Sequence, residues 1–254
     1  MRSSQKEINE RRDKIFNTLL KEGEIQVKDL ALKLNVSELT VRRDLLFFEE
    51  KKYIERFYGG ARLLNPHALH SPSQTLNRIK NKIAKKAADL IDSGDIIFIN
   101  TSSTALLTLR YLGNKEVTVI TNNAKAVFVK TSPKVTIILS GGELRNPKET
   151  MVGDFALQTL RMVNVSKAIL GCSGLSYEQG ITTSVHSEVS INQLMLENCS
   201  GPRIIVADQS KLGHSASFVS GSIHDVDVLV TNHASEAEAL EKFKEQTEMK
   251  ILLV

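Results

Sequence analysis

The sequence predicts an α/β protein in two parts, and two features of the chain support this prediction. The first 62 residues combine three stretches of helical periodicity with one glycine-containing hairpin pattern. From residue 76 onward, short runs of β-branched residues alternate with helical segments, as in an α/β domain with a mainly parallel sheet. With 254 residues, 41% of them hydrophobic, the chain is long enough for two folded domains of unequal size.

The spacing of apolar residues predicts three helices in the N-terminal part. The first runs from about residue 4 to residue 22 and stops at Gly23. After a short IQV stretch that suits a small strand, the segment KDLALKLN repeats the helical pattern and ends at Asn35, a residue type that favours helix C-termini. The third helix covers residues 37–50, and the hydroxyl of Ser37 is predicted as its N-cap.

The third helix has an apolar face that predicts its orientation. Val41, Leu45 and Phe48 follow the i, i+4, i+7 spacing and should therefore face the core. This orientation turns Thr40 and Arg43 outward, so the helix presents a polar and basic face to its surroundings.

A hairpin and a linker complete the N-terminal part. The stretch KKYIERFYGGARLL alternates apolar and polar residues around Gly59 and Gly60, which predicts a β-hairpin with glycines in its turn. Three helices followed by such a hairpin form a winged helix-turn-helix, and we assign it to residues 1–62. Residues 63–75 contain two prolines and no periodicity and are predicted as a linker, which leaves residues 76–254 for the larger domain.

Short β-branched runs define the predicted sheet of the larger domain. They are IIFIN (96–100), VTVIT (117–121), VTIIL (135–139), RIIVA (203–207) and VDVLVT (226–231). Such runs are typical of strands that are buried on both faces, which favours a parallel arrangement. Ligands of parallel α/β sheets bind outside the carboxyl ends of the strands, so the loops that follow these runs are the expected pocket.

Two interpretations of the adjacent arginines Arg42 and Arg43 are open from the residues alone. In the first, the third helix is a solvated surface helix whose arginines pair with Asp44, Glu49 or Glu50. In the second, the arginines and Thr40 project into the major groove of DNA and towards its phosphates. The position of the helix, after a tight turn and before a glycine hairpin, favours DNA.

The predicted pocket loops also have two interpretations each. Ser102, Ser103 and Thr104 follow the strand at 96–100, where hydroxyls and backbone amides suit a phosphate, although the same residues also suit a simple helix N-cap. Asp208 and Lys211 follow the strand at 203–207. The lysine could neutralise an anionic ligand while the aspartate accepts sugar hydroxyls, or the two could form a surface ion pair.

The N-terminal stretch LALKLNVSELTVRRDLLFFEEKKYIERFYGGA resembles the signature of DeoR-type transcriptional regulators. The shared elements are a Leu-Ala pair, Val-Ser, Thr-x-Arg-Arg-Asp-Leu and a Gly-Gly-Ala turn. The resemblance implies DNA contacts by the third helix and by the hairpin, at Ser37, Thr40, Arg42, Arg43, Arg56, Gly59, Gly60 and Arg62.

The resemblance extends over nearly the whole chain. The order TNN, GG, VGD, a Gly-Ile-Thr turn and AD-x-SK is similar to the effector domain of the same regulators, which is related in fold to ribose-5-phosphate isomerase. The effectors of that family are typically phosphorylated sugars or sugar alcohols. The positions implicated in effector binding are Ser102, Ser103, Thr104, Thr121, Asn122, Gly141, Gly142, Gly174, Asp208 and Lys211.

The chain departs from the family pattern at three places. Residues 100–102 are Asn-Thr-Ser where the family usually has Asp-x-Gly, which removes a carboxylate and a glycine from the pocket loop. Asn192 stands where the family often has a lysine. Phe47 and Phe48 replace a smaller polar residue and a leucine in the third helix.

Composition argues against several other kinds of protein. Cys172 and Cys199 lack the spacing of a zinc site or a disulfide framework, and we expect Cys172 to be a packing residue. His67 and His70 are the one histidine pair at metal-ligand spacing, and no metal or cofactor is expected. The charged N-terminus and the absence of a long apolar run favour a cytoplasmic protein with no membrane segment. His186 suits either a sugar hydroxyl or a capping role.

The leading hypothesis is a DNA-binding transcriptional regulator, a repressor of a carbohydrate-utilisation operon, with a double-stranded DNA operator and a phosphorylated sugar as partners. A homodimer or homotetramer is expected. The alternative is a sugar-phosphate isomerase-like enzyme with a DNA-binding appendage, but no second pocket carboxylate is evident beside Asp208, so no catalytic residues are assigned. A general architectural DNA binder is a third possibility, and it predicts no response to a ligand.

Overall fold

The computed structural model describes residues 5–50, 53–64, 72–146, 148–233 and 237–254. The chain divides into two compact units, Met1–Arg78 and Ile79–Val254, each with its own hydrophobic core. Within the described ranges, no helix has both the length and the apolar character needed to cross a bilayer.

The first unit contains the predicted three helices and hairpin. Its elements are α1 (Gln5–Glu22), β1 (Glu24–Gln26), α2 (Val27–Leu34), α3 (Glu38–Glu50), β2 (Ile54–Phe57) and β3 (Gly60–Leu63). The three strands form an antiparallel sheet in the order β1-β3-β2. The predicted orientation of α3 is confirmed, because Val41, Leu45 and Phe48 are buried.

The predicted helix ends of the first unit are also confirmed. Asn35 adopts a left-handed conformation with φ 52° and its N–H donates to carbonyls in the last turn of α2. The Ser37 hydroxyl accepts the backbone N–H of Thr40 at 3.2 Å, which caps α3. Gly59, with φ 87°, supplies the left-handed residue of the hairpin turn, and Gly60 begins β3.

A buried carboxylate joins α3 to α1. Asp44 is 2% exposed and accepts hydrogen bonds from Arg11 Nε at 2.6 Å and from Arg12 Nε at 3.0 Å. The guanidinium of Arg12 also lies 3.8 Å from the centre of the Phe47 ring, so the aromatic departure at this position contacts a cation. Asp44 therefore anchors α3, and its suggested pairing with Arg42 or Arg43 is wrong.

The region between the predicted domains is described only in part. Residues 65–71 of the predicted linker, with His67 and His70, lie outside the described residues. The last linker positions, 72–75, are helical, because α4 (Pro72–Ala88) begins at the proline. A proline suits the first turn of a helix, where its missing N–H is not needed and its φ is already helical. In the structure, Pro72 is thus the first residue of α4.

The elements that follow α4 build a mixed unit. They are β4 (Ile96–Ile99), α5 (Ser103–Leu107), β5 (Val117–Thr121), β6 (Val135–Leu139), β7 (Glu143–Arg145), β8 (Thr150–Val152), α6 (Asp154–Arg161), β9 (Lys167–Leu170), β10 (Gly174–Ser176), β11 (Gly180–Thr183), α7 (Val189–Glu197), β12 (Arg203–Val206), β13 (Phe218–Gly221), β14 (Val228–Thr231), α8 (Ala237–Gln246) and β15 (Lys250–Leu253).

Seven of the described strands form one parallel sheet in the order β15-β14-β12-β9-β4-β5-β6. The predicted parallel sheet is confirmed. Alternate residues of its strands enter two separate cores, as Ile97 and Phe98 do in β4. One core includes α4 and α5 and the other includes α6, α7 and α8, so helices cover both faces.

The order of the strands places a topological switch point between β4 and β9. After β4 the chain builds β5 and β6 on one side, and it then returns to build β9, β12, β14 and β15 on the other. The loops that leave the carboxyl ends of β4 and β9 diverge from this point. In open parallel sheets such a crevice is the preferred position for a ligand.

We expect the Asp44→Ala substitution to lower the stability of the first unit by about 2 to 4 kcal/mol, because it leaves two partly buried guanidinium groups without their carboxylate. The change should appear as a lower melting temperature of the transition that reports on the helix-turn-helix. Glu38→Ala, which removes an exposed partner of Arg42, is the matched control and should change stability by less than about 0.5 kcal/mol. Equal effects of the two substitutions would contradict the anchoring role.

Candidate DNA-binding surface and effector site

The outward face of α3 carries two hydroxyls and two arginines. Ser37 Oγ and Thr40 Oγ1 lie 2.9 Å apart on the exposed first turn. Arg42 pairs with Glu38 one turn earlier, with 3.1 Å between Nη2 and Oε2. Arg43 is exposed, and within the described ranges it has no ion pair within 4 Å. Its guanidinium is therefore available to a partner outside the unit.

The hairpin adds two more arginines, and each of them pairs with a glutamate. Arg56 Nε lies 2.6 Å from Glu49 Oε2, and Arg62 Nη2 lies 2.8 Å from Glu55 Oε2. A cleft separates α3 from the hairpin, and Arg42, Glu49, Arg56 and Tyr58 are among the residues that line it. Of the predicted DNA-contacting residues, Arg42, Arg56, Gly59 and Gly60 thus line one cleft of the first unit.

In the second unit, Asn100 fills the switch point. Its side chain is 3% exposed, and its Nδ2 donates to the Gly171 carbonyl at 2.9 Å and to Asn192 Oδ1 at 3.1 Å. Its Oδ1 accepts the backbone N–H of Gly171 at 3.0 Å and of Ser102 at 3.2 Å. One carboxamide therefore ties the end of β4 to the end of β9 and to α7.

The hydroxyls that follow Asn100 have different roles. Ser102 caps α5, since its Oγ accepts the backbone N–H of Thr104 at 3.2 Å and of Ala105 at 3.4 Å. Thr104 is buried. Ser103 is exposed, and its Oγ accepts a hydrogen bond from Lys80 Nζ at 3.2 Å. The capping interpretation of Ser102 is thus correct, whereas the Ser103 hydroxyl lies beside a cation.

Lys80 is a candidate site residue that the sequence pattern did not single out. Burial lowers the pKa of Lys80, and nearby Lys211 lowers it further while Asp208 raises it. Among the described ion pairs, none within 4 Å involves Lys80 or Lys211. The sequence did contain an indication that Lys80 is partly buried. Lys80 precedes the fully buried Ala84 and Ala87 at i+4 and i+7, so it lies on the buried face of α4.

Asp208 and Lys211 lie at the end of β12, close to Lys80. Asp208 is 3% exposed, and its Oδ1 accepts hydrogen bonds from the N–H of Ser210 at 3.0 Å and from its hydroxyl at 2.5 Å. The suggested Asp208–Lys211 ion pair is not found in the described part of the chain. Burial raises the pKa of the neighbouring Cys172 thiol to about 12, against the opposing effect of Lys211, which agrees with a packing role.

A second residue missed at the sequence level is Glu188. Its carboxylate is 4% exposed and accepts hydrogen bonds from Thr101 Oγ1 at 3.0 Å and from Thr183 Oγ1 at 2.8 Å. Lys148 completes the group, with Nζ 3.1 Å from Glu188 Oε1. Because Thr101 follows Asn100 directly, this carboxylate lies on the α7 side of the same strand end.

The remaining predicted effector residues lie at neighbouring strand ends, where each has a local structural role. Thr121 ends β5, and its Oγ1 accepts the N–H of Asn123 at 3.1 Å. Asn122 Nδ2 donates to Thr150 Oγ1 and to the Met151 carbonyl, both at 3.2 Å, which ties β5 to β8. The Asn122 Oδ1 atom is buried and has no hydrogen-bond partner in the described protein.

The predicted glycines also have backbone reasons for their positions. Gly141 and Gly142 follow β6 with φ 70° and φ 101°, and a Cβ on Gly142 would lie 2.4 Å from the Val152 carbonyl oxygen. A Cβ on Gly174, which begins β10, would lie 2.5 Å from the His214 carbonyl oxygen. Close packing is therefore sufficient to explain Gly142 and Gly174 without a ligand.

Both units match known protein-family models. The model of the DeoR-like helix-turn-helix domain matches residues 11–67, and the model of the DeoR C terminal sensor domain matches residues 77–233. The chain belongs to the DeoR family. The HTH-type transcriptional repressor GlcR of Bacillus subtilis is 32% identical over 223 residues, which are 86% of this chain and 86% of that protein.

Two further similarities accompany the DeoR assignment. The lactose phosphotransferase system repressor of Staphylococcus aureus is 29% identical over 249 residues, 95% of this chain and 98% of that protein. Among solved structures, ribose 5-phosphate isomerase A from Methanocaldococcus jannaschii aligns with 53% of this chain and 54% of its own, at 20% identity and a TM-score of 0.39.

Two departures from the DeoR pattern contact each other. Asn100 and Asn192, where the DeoR resemblance implies aspartate and lysine, are joined by the 3.1 Å hydrogen bond described above. A neutral amide pair thus occupies a position where the pattern has two opposite charges. In this chain the two positions are therefore joined by a hydrogen bond between neutral groups.

We expect Asn100→Asp to lower the stability of the sensor unit by about 2 to 4 kcal/mol, because a carboxylate cannot donate to Gly171 or Asn192. Adding Asn192→Lys should restore a donor and recover at least about 1 kcal/mol, a coupling measured by a double-mutant cycle on calorimetric melting. Asn114→Asp, at an exposed asparagine, is the matched control and should be nearly neutral. Additive effects of the two substitutions would show that the positions are not coupled.

Proposed function

We propose that this protein is a transcriptional repressor of a carbohydrate-utilisation operon and that a phosphorylated sugar or sugar alcohol modulates its affinity for DNA. The observation that carries the proposal is the pairing, in one chain, of a DeoR-like helix-turn-helix with a DeoR sensor domain. The relative named HTH-type transcriptional repressor GlcR supports the role of repressor, and the relative named lactose phosphotransferase system repressor supports the assignment to sugar use.

The surface of α3 supports DNA recognition. In a helix-turn-helix, residues in the N-terminal part of the second helix contact base edges in the major groove. Thr40 and Arg43 occupy this part of α3, and Arg43 has no carboxylate within 4 Å among the described residues. Arg56 and Arg62 add two basic side chains on the hairpin, and Arg56 lines the cleft beside α3. We assign Arg43 to a base edge and the hairpin arginines to phosphates.

The sensor unit supports recognition of an anion. Burial lowers the pKa of Lys80, and Lys211 is close enough to Lys80 to lower it further, against the opposing effect of Asp208. Neither lysine forms an ion pair with a carboxylate within the described ranges. The ammonium groups of Lys80 and Lys211 and the hydroxyl of Ser103 suit the dianion of a phosphate monoester. The bound dianion would offset the repulsion between the two ammonium groups.

Polar groups beside this anion site suit the rest of a sugar phosphate. The buried Glu188 carboxylate and the Thr101 hydroxyl lie next to the loop that carries Ser103. Carboxylates and threonine hydroxyls are hydrogen-bond partners for sugar hydroxyls. We therefore assign the phosphate to Lys80, Lys211 and Ser103, and the sugar hydroxyls to the side of Glu188.

A regulator of this kind requires more than one copy of the chain. Recognition helices of a symmetric dimer would read half-sites about 34 to 36 Å apart, or a multiple of that distance. We propose a homodimer or a homotetramer. Exposed apolar side chains on the sensor unit, Phe128, Phe155 and Met162, provide surface for subunit contacts. The effector can change DNA affinity only as far as it binds one arrangement of the subunits more tightly than another.

An isomerase-like enzyme is the competing hypothesis, and one observation bears on it. No second pocket carboxylate was evident from the sequence. Glu188, however, is a buried carboxylate beside the proposed anion site. Glu188 accepts hydrogen bonds from Lys148 and two threonines, and Asp208 accepts one from the Ser210 hydroxyl, so we assign both carboxylates to hydrogen bonding and not to proton transfer. A turnover assay over phosphorylated pentoses and hexoses distinguishes the hypotheses, since sustained conversion would favour the enzyme.

The proposal is tested by selecting binding sites from random duplex DNA with the full chain and then measuring affinity for the selected site. We expect a preferred sequence with two-fold symmetry, and a change in affinity when one member of a panel of phosphorylated sugars is added. The same sugars without phosphate are the control. A chain that retards no duplex at low ionic strength would refute the proposal.

We expect Arg43→Ala to cost about 1 to 3 kcal/mol of affinity for the selected site and much less for random DNA, because a base contact is lost while phosphate contacts remain. Both affinities should be measured at the same salt concentration, since phosphate contacts make binding strongly salt-dependent. Equal losses on the two DNAs would assign Arg43 to the phosphate backbone.

We expect Lys211→Ala and Lys80→Met to abolish the ligand response while DNA affinity without ligand is retained, because each removes one of the two cations of the proposed anion site. Titration with the active sugar phosphate, followed by calorimetry, measures the loss directly. Lys82→Met, at an exposed position of the same helix α4, is the matched control and should bind as the wild type does. An unchanged response in either variant would remove that lysine from the site.

A further inference from the structure

Leu39 is an exposed leucine on the first turn of α3. It is 67% exposed, whereas the inward residues Val41 and Leu45 of the same helix are buried. A single exposed leucine on a protein surface is common and needs no functional explanation. The position of Leu39 is more informative than its exposure, because it lies in the part of the recognition helix that meets base edges.

Leu39 shares a helix face with Arg43. The two residues are four positions apart, so their side chains project from the same side of α3, one turn from each other. Leu46 continues this face and is 41% exposed. Arg43, in the middle of the stripe, has no ion pair within 4 Å in the described part of the chain. The outward stripe therefore combines two apolar side chains with one available guanidinium.

The chemistry of the major groove matches this combination. Thymine presents a 5-methyl group there, and it is the one apolar group that the four bases offer to a side chain. Guanine presents two acceptors, O6 and N7, which fit an arginine. Residues four positions apart are separated by about 6 Å along the helix. This distance is shorter than the roughly 7 Å spanned by two base-pair steps of duplex DNA.

We propose that Leu39 is a specificity-determining residue that packs against the methyl group of a thymine within about two base pairs of the base contacted by Arg43. The inference rests on the proposed role of α3 as the recognition helix. It adds a non-polar contact to the hydroxyl and arginine contacts implied by the family resemblance. The half-site should then contain one thymine at which the methyl group itself contributes to affinity.

The test replaces each thymine of the selected half-site in turn with deoxyuridine, which removes only the methyl group. With the wild-type chain, we expect one position per half-site at which the replacement weakens binding about three- to fivefold, the effect of losing one buried methyl contact. With the L39A variant, the same replacement should have no effect. L32A, which truncates an 82% exposed leucine on α2, is the matched control and should keep the wild-type sensitivity.

Three outcomes would overturn the inference. They are a selected half-site without thymine, a half-site in which no deoxyuridine replacement changes affinity, and an L39A chain that still distinguishes thymine from deoxyuridine. Leu39 is exposed, so L39A should melt as the wild type does, and L39M provides a second variant that retains an apolar contact and should retain sensitivity. If the wild-type chain selects no sequence at all, the proposed function fails together with the inference. A selected site that depends on Arg43 but shows no methyl sensitivity contradicts the inference alone.

Discussion

The arrangement of the sensor unit depends on the carboxamide of Asn100. At the switch point, β4 and β9 send their chains in different directions, and the backbone groups of the diverging loops need hydrogen-bond partners away from water. Asn100 supplies both kinds of partner, because its Nδ2 donates to Gly171 O while its Oδ1 accepts from Gly171 N and Ser102 N. The loop that carries Ser103 therefore has a defined position relative to the loop after β9.

A charged group has the corresponding role in the first unit. Asp44 accepts from Arg11 and Arg12 and thereby determines which face of α3 is turned towards α1. Arg43 and Arg42 are then turned by about 100° and 200° away from the direction of Asp44, and both are exposed. In the Arg-Arg-Asp sequence, Asp44 thus lies in the interior of the unit, and Arg42 and Arg43 lie on its surface. The two units use different chemistry, an amide and an ionic cluster, to position the residues that we assign to recognition.

The sequence predicted the first unit well because local rules determine most of it. Helical periodicity, the Ser37 cap, the Asn35 terminus and the glycine turn each depend on neighbours within a few positions. In the second unit the parallel sheet was predicted, but β15 was not. Its residues KILL contain one β-branched side chain, so this strand lacks the β-branched runs of the strands that were recognised.

The residues that the sequence singled out for the candidate site follow predicted strands directly. Ser103, Asp208 and Lys211 were identified from this position, while Lys80 and Glu188 were not, because their significance comes from residues that are distant in sequence. Glu188 gains its role from Thr101, which precedes it by 87 positions. No local pattern reports such a contact. The roles of Gly142 and Gly174 in close packing were likewise visible only once the neighbouring strands were in place.

The glutamates beside Arg42, Arg56 and Arg62 have a consequence for the DNA-binding role that we propose. Each of these arginines has a glutamate within 3.1 Å, so a DNA phosphate would compete with an internal carboxylate for it. In the proposed role, this competition would weaken attachment to duplexes of arbitrary sequence, where phosphates are the main contacts. Arg43 has no ion pair within 4 Å in the described part of the chain, so a base contact there would meet no such competition. The acidic partners would thus shorten the time that the protein spends at wrong sites on a chromosome.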